Sequence, residues 1–270
     1  MAVRLDKYLA HANMGTRSEV KKLIRSGRVF LNGVAAKKPE EKVFDGSEVV
    51  VDGEVISPKE YEYFMLNKPQ GVVSATQDCA DRTVVDLITC PHSRELFPVG
   101  RLDKDTEGLL LLTNDGTLAH QLLSPKKHVS KTYLVWVEGE VTQEDVALLE
   151  NGIDIGDEKL TKPAVVANIY YYDLSEQKAE EVQTALELTV TNKATGLGQR
   201  AIESIQTSLE LTITEGRYHQ IKRMFAKIGK PVQYLKRLSM GSLKLDSSLE
   251  LGEFRQLTEE EILHLKKEEY

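Results

Sequence analysis

The chain has 270 residues, 41% hydrophobic and 29% charged, with 35 Lys/Arg against 42 Asp/Glu for a net charge of −7. This is the balance of a globular protein long enough for one sizeable domain and a small one, and it excludes a disordered chain. The longest strongly apolar run, 109–112, is far too short to cross a bilayer, and the first residues show no apolar leader. Cys79 and Cys90 make no disulfide framework, so a cytoplasmic protein is expected.

The charge is unevenly spread. Residues 1–38 hold nine Lys/Arg (Arg4, Lys7, Arg17, Lys21, Lys22, Arg25, Arg28, Lys37 and Lys38) against two acids, and residues 211–244 hold eight against Glu215 alone. Two basic faces on an acidic body fit local contact with a phosphate backbone, and they fit two solvated helix faces equally well. Within 1–60, Leu5, Leu9 and Ala12 share one face of a helix closed by Gly15. Thr16 or Ser18 caps a second helix, with Val20, Leu23 and Ile24 at helical spacing and a stop at Gly27. Val29-Phe30-Leu31 leads into an Asn32-Gly33 turn, and 49–51 is another strand before Asp52-Gly53. The expectation is a helix–helix–hairpin domain over 1–60, joined through a polar linker at 57–60 to a second domain over 61–270.

In that second domain strands are expected at 63–66, 72–74, 108–113, 133–137, 186–191 and 209–214. Residues 67–71 (NKPQG) read as a turn. Helices are expected at 117–123, at 142–150 behind Thr142, and at 217–229, where Ile221, Met224, Phe225 and Ile228 form a core stripe. Thr258 and Glu261 make a capping box before a last short helix. Residues 168–207 are the least readable, with 174–184 and 193–206 read as a surface excursion. Many strands, few helices and no βαβ rhythm imply an α+β fold with a largely antiparallel, mixed sheet flanked by helices and loops.

The densest chemical signal is GRLDKDTEGLLLLTNDG (100–116), which sets Arg101 and Asp103 on a loop directly before a core strand. Such a loop fixes a carboxylate at the mouth of a cleft, although a solvated turn rich in Asp and Lys explains the spacing as well. Asp105 reads as a solvated loop acid. Cys79, Cys90 and His92 lack the spacing and the fourth ligand of a zinc site, so no metal is expected.

Larger stretches carry a family resemblance. RLDKYLAHANMGTRSEVKKLIRSGRVFLNG, within residues 3 to about 53, resembles the S4 RNA-binding domain. Residues 100–116 resemble the catalytic signature of the RsuA-type pseudouridine synthases. YFMLNKPQGVVSAT (63–76), SPKKHVSKTYLVWV (124–137) and EGRYHQIKRMFAKIGKPVQYLKRLSMGSLKL (215–245) match the same family. The resemblance implies that Asp103 is the catalytic carboxylate in converting uridine to pseudouridine. It implies that Tyr133 stacks on the base and relays a proton, and that Lys222 pairs with Asp103, where related synthases often carry Arg. Arg101 would fill the space left by the flipped base or hold the displaced phosphate. Arg217, His219 and Arg223 would contact RNA phosphate or support their loop, and Lys68 would be scaffold or a phosphate contact. In the S4 region Arg4, Lys7, Arg17, Lys21, Lys22, Arg25 and Arg28 would contact RNA.

An isomerisation adds and removes nothing, so no cofactor is expected. LTKPAV (160–165) and EGRYHQIKRMF look most like the small-subunit branch. That implies 16S ribosomal RNA as partner, with uridine 516 as target, in a precursor small-subunit particle and acted on by a monomer. The alternatives are a large-subunit enzyme and an S4-anchored assembly factor without the chemistry. An S4-linked methyltransferase would need a Gly-rich cofactor loop, which Gly196-Leu197-Gly198 serves poorly.

Overall fold

The computed structural model describes residues 3–12, 14–44, 46–56, 61–90, 93–173 and 205–267. The linker expected at 57–60, the strand expected at 186–191, the excursion at 174–184, most of that at 193–206 and His92 lie outside them. The chain divides into two units, residues 1–61 and 62–270.

The first unit opens with β1 (Val3–Arg4), α1 (Leu5–His11) and α2 (Arg17–Arg25), then β2 (Val29–Leu31), β3 (Val34–Ala35), β4 (Lys42–Val43), β5 (Val49–Val51) and β6 (Glu54–Val55). Thr16 caps α2 in a reciprocal box with Glu19, which satisfies backbone donors that the first helical turn cannot. Asn32 and Gly33 both take positive φ, 51° and 77°, as a two-residue hairpin turn requires. The unit is more than the expected hairpin. β3-β2-β5-β6 form a four-stranded sheet, and β1 pairs with β4 in a second small one. Leu5, Leu9, Val20, Ile24, Val29, Val49 and Val51 close the core between helices and sheet.

The second unit contains β7 (Tyr63–Lys68), β8 (Phe97–Pro98), β9 (Glu107–Thr113), α3 (Gly116–Leu123), β10 (Lys131–Glu138), α4 (Gln143–Asn151), β11 (Val165–Asp173), β12 (Ile205–Ile213), α5 (Gln220–Lys227), β13 (Val232–Met240), β14 (Leu243–Lys244), β15 (Phe254–Gln256) and α6 (Glu259–Lys267). One mixed sheet runs β11-β12-β10-β13-β9-β7-β15, with β14 on β13 and β8 on β9. Its pairings are antiparallel except β13 with β9, so the α+β, largely antiparallel expectation holds.

β7 and β9 are buried along their whole length, and alternation divides their side chains between two cores. Phe64, Leu66, Leu110 and Leu112 join Leu149, Ile221, Met224 and Phe225 on one face. Met65, Leu109 and Leu111 join Leu118, Leu122 and Leu265 on the other. A leucine buried in this way contributes about 1.5–3 kcal/mol.

Several expectations need correction. Residues 72–74 are not a strand but make a single parallel bridge, Val73 to Thr83. The helix expected at 217–229 is only Gln220–Lys227, because His219 sits in the left-handed region at φ 48° and breaks the helix before it starts. The hard stretch from 168 opens inside β11 and ends inside β12, which pair from Val165↔Thr212 to Asp173↔Ile205. The 211–244 stretch is not one basic face, because Arg237 is 2% exposed and Lys236 is half-buried in β13.

Candidate active site

Asp103 lies on the loop that feeds β9, and the chain before β9 is held by the segment that follows β7. Lys68, at the end of β7, is wholly buried. Its ammonium donates to the carbonyls of Pro69 at 3.0 Å, Asp103 at 3.0 Å and Thr106 at 2.9 Å. Ser74 Oγ donates to the Leu102 carbonyl at 2.9 Å, and the Gly71 amide donates to that of Lys104 at 2.8 Å. The Thr106 amide closes the turn on the Asp103 carbonyl at 3.1 Å. Lys68 is therefore a clamp on the loop, and its burial removes it as a phosphate contact. Burial lowers the Lys68 ammonium to about 8, against the pull of Asp105, Glu107 and Asp103.

The carboxylate is gripped from α5. Lys222 Nζ stands 3.0 Å from Asp103 Oδ2 and 2.5 Å from Asp105 Oδ1. Burial alone would lower Lys222, but its hydrogen bonds to Asp105 and Asp103 outweigh that and raise it. Burial would raise Asp105, yet the Lys222 hydrogen bond holds it below the usual carboxylate range. Asp105 is thus a partner of the same cation rather than a free loop acid. On the other carboxylate oxygen, His219 Nε2 lies 3.5 Å from Asp103 Oδ1. Reading from sequence placed His219 with RNA phosphate or loop support and missed this contact, because nothing local announces a left-handed histidine.

An open cleft surrounds these groups. Asp103, Arg101, Tyr133, Thr106, His219 and Lys222 line it. Tyr133 is 7% exposed and sits beside a register shift between β10 and β13, an irregularity of the kind that re-aims a side chain. Arg101 is exposed. The Thr106 hydroxyl is buried and has no hydrogen-bond partner among the described residues.

Arg217 and Arg223 are engaged inside the protein. Arg217 donates to the carbonyls of Lys159 and Leu160, 2.7 Å each, and Arg223 donates to the carbonyl of Ile155 and to Asp157 Oδ1 at 2.6 Å. Of the two roles expected for them, loop support is the one this geometry expresses. In the first unit Arg4 is bidentate to Asp6, and Arg28 pairs with Asp52. Lys7, Arg17, Lys22 and Arg25 are exposed and Lys21 is half-buried. Among the described residues no helix is long and apolar enough to cross a membrane.

A model of the RNA pseudouridylate synthase family matches residues 62–227, and the S4 domain model matches residues 3–49. The chain belongs to the RNA pseudouridylate synthase family, an isomerase family, and carries an S4 domain at its front. It is 49% identical over 268 residues to the uncharacterized RNA pseudouridine synthase YtzG of Bacillus subtilis, covering 98% of this chain and 99% of that one. It is 37% identical over 262 residues to ribosomal small subunit pseudouridine synthase A of Escherichia coli K12, covering 96% and 98%. A crystal structure of a pseudouridylate synthase aligns with a TM-score of 0.61 at 37% identity, covering 97% of this chain and 99% of that one.

Proposed function

We propose that the protein isomerises one uridine of small-subunit ribosomal RNA, uridine 516, with Asp103 as the catalytic carboxylate. The observation that carries this reading is a loop aspartate ion-paired to Lys222 at 3.0 Å within a cleft that Tyr133 also lines. The near full-length likeness to a ribosomal small subunit pseudouridine synthase supports the choice of RNA.

The reaction breaks N1–C1′, turns the base and forms C5–C1′, while C5 loses a proton and N1 gains one. The target is stacked in folded RNA and must first be everted, at a cost of a few kcal/mol. Arg101, exposed at the cleft, is suited to fill the vacated stack or hold the displaced phosphate. An ionised Asp103 adds to C1′ or C6, or takes the C2′ proton, and Lys222 offsets the burial of that charge. The Tyr133 ring serves as a platform and its hydroxyl as a relay for the C5 proton. The Thr106 hydroxyl gains a polar partner when the base enters. Lys7, Arg17, Lys21, Lys22 and Arg25 of the S4 unit supply phosphate contacts. We place the reaction in the cytoplasm, on a precursor small-subunit particle, with the protein acting as a monomer.

Mapping pseudouridine in ribosomal RNA from cells lacking the protein names the uridine, which should return with the wild-type gene and not with Asp103→Asn. The purified Asp103→Asn protein should bind RNA nearly as tightly as wild type while its isomerisation falls below detection. Retained turnover in that variant removes Asp103 from the chemistry. A modification missing from the large subunit instead transfers the activity there.

A further inference from the structure

Tyr218 is 77% exposed, the most of any large hydrophobic side chain among the described residues. Its ring nevertheless lies 3.8 Å from the imidazole of His219 and within 21° of parallel to it. Side chains of neighbouring residues ordinarily diverge. These two stack around the left-handed backbone of His219, at φ 48°, a conformation that persists only where its surroundings hold it. They do hold it. Arg223 Nη1 donates to the Tyr218 carbonyl at 3.1 Å, and the Arg217 amide donates to Gln220 Oε1 at 2.9 Å. The guanidinium groups of Arg217 and Arg223 are in turn anchored on carbonyls of residues 155, 159 and 160. The turn therefore holds the backbone from which the tyrosine ring projects. One face backs onto an imidazole that itself stands 3.5 Å from Asp103 and lines the cleft. The bulk of the ring faces water.

We propose that Tyr218, backed by His219, is a stacking platform for the nucleobase adjacent to the target uridine in the RNA chain. The inference rests on the function proposed above. When a uridine is drawn into the cleft, its neighbour in the strand loses a stacking partner and comes to the rim beside it. A planar ring held open at that rim replaces the lost partner, and it accepts any base because every base presents a π face. The imidazole behind the ring stiffens it, so little freedom is lost when a base arrives.

The test uses a synthetic RNA spanning the uridine identified by mapping, tritiated at C5 of that uridine. It is made intact, or with an abasic residue on the 5′ or the 3′ side. Tritium release gives KM and kcat for the full-length wild type, Tyr218→Ala and Tyr218→Phe, and melting curves check that each variant is folded. On intact RNA, Tyr218→Ala is expected to raise KM about ten-fold, and Tyr218→Phe, which keeps the ring, to raise it less than about two-fold. In one of the two abasic RNAs the wild type should show a similar rise, and the alanine variant should add nothing to it. An unchanged KM for Tyr218→Ala overturns the proposal, as does an equal penalty in all three RNAs, or a phenylalanine variant as impaired as the alanine one. Each RNA is presented assembled with ribosomal proteins into a precursor small-subunit particle, and a wild type that turns over none of them overturns the proposed function and this inference with it. An active wild type without the coupling overturns the platform alone.

Discussion

Asp103 and Asp105 are two residues apart and share one lysine, yet they occupy different settings. The Asp103 side chain is 28% exposed and that of Asp105 is 68% exposed. Asp103 is bracketed by Lys222 on one oxygen and His219 on the other. The loop beneath them depends on Lys68, which offers a sharp test. Burial holds Lys68 at about 8 in the folded protein against an ordinary 10.5. Between those values the unfolded chain binds the extra proton, so this residue makes stability rise as pH climbs from about 8 to 10.5. Below pH 8 its ammonium is charged in both states and contributes no slope. Lys68→Met should be less stable throughout, because the carbonyls of Pro69, Asp103 and Thr106 lose their donor. Denaturant titrations at stepped pH should show that deficit widening above pH 8, by ~3 kcal/mol over the full titration. A deficit that stays constant with pH would assign the slope elsewhere. The place of Asp103, on a loop directly before a core strand, was legible in the sequence because its motif is local. The scaffold role of Lys68 came from the family resemblance alone, since a lysine closing an apolar strand looks like a surface residue until its carbonyl partners are known.

At the scale of elements, the site depends on how closely β9 approaches β13. Gly108 has φ 98°, and a Cβ there would fall 2.3 Å from the Arg237 carbonyl oxygen. The parallel contact of Lys236 and Arg237 with Glu107 and Gly108 thus needs a residue without a side chain, and it sits just after the Asp103 loop. Gly108→Ala should lose about 3–5 kcal/mol of stability through backbone strain and overpacking, and turnover should fall with it. Urea unfolding checks the first and tritium release the second. A wild-type midpoint would mean that β13 can step aside. The apolar runs of β7 and β9 were readable in the sequence because both faces are buried. β13 was not, because VQYLKRLSM mixes apolar residues with two cations, and one of them, Arg237, lies buried with its Nε on the Leu109 carbonyl. The helix after 216 was over-extended for a similar reason. A periodic apolar stripe marks α5 well, but it does not reveal that the backbone turns left-handed at His219.

At the scale of the whole molecule, the cations of α5 and β7 and those of α1 and α2 are used differently. In the second unit, Lys222, Arg217, Arg223 and Lys68 are engaged with the protein's own carboxylates and carbonyls. The exposed cations of α1 and α2 remain available to a phosphate backbone. Deleting residues 1–56 should therefore weaken RNA binding far more than it disturbs the cleft, by at least about ten-fold at moderate salt, and should flatten the dependence on salt. Filter binding across a salt series measures both, and equal affinities with and without the segment would contradict it. The acidic total charge concealed both basic stretches; the local sums disclosed them but gave each the same excess, and only the contacts tell their uses apart.

Asp173 and Ile205 are rungs of one ladder, paired at the end of β11 and β12. Whatever the chain does between them, it departs from and returns to neighbouring points on the rim. Joining two such points costs free energy that grows only with the logarithm of the connecting length. That corner of the sheet is therefore a natural port, where segments can be lengthened, trimmed or exchanged over evolution while the hydrogen-bonded frame around the cleft keeps its register.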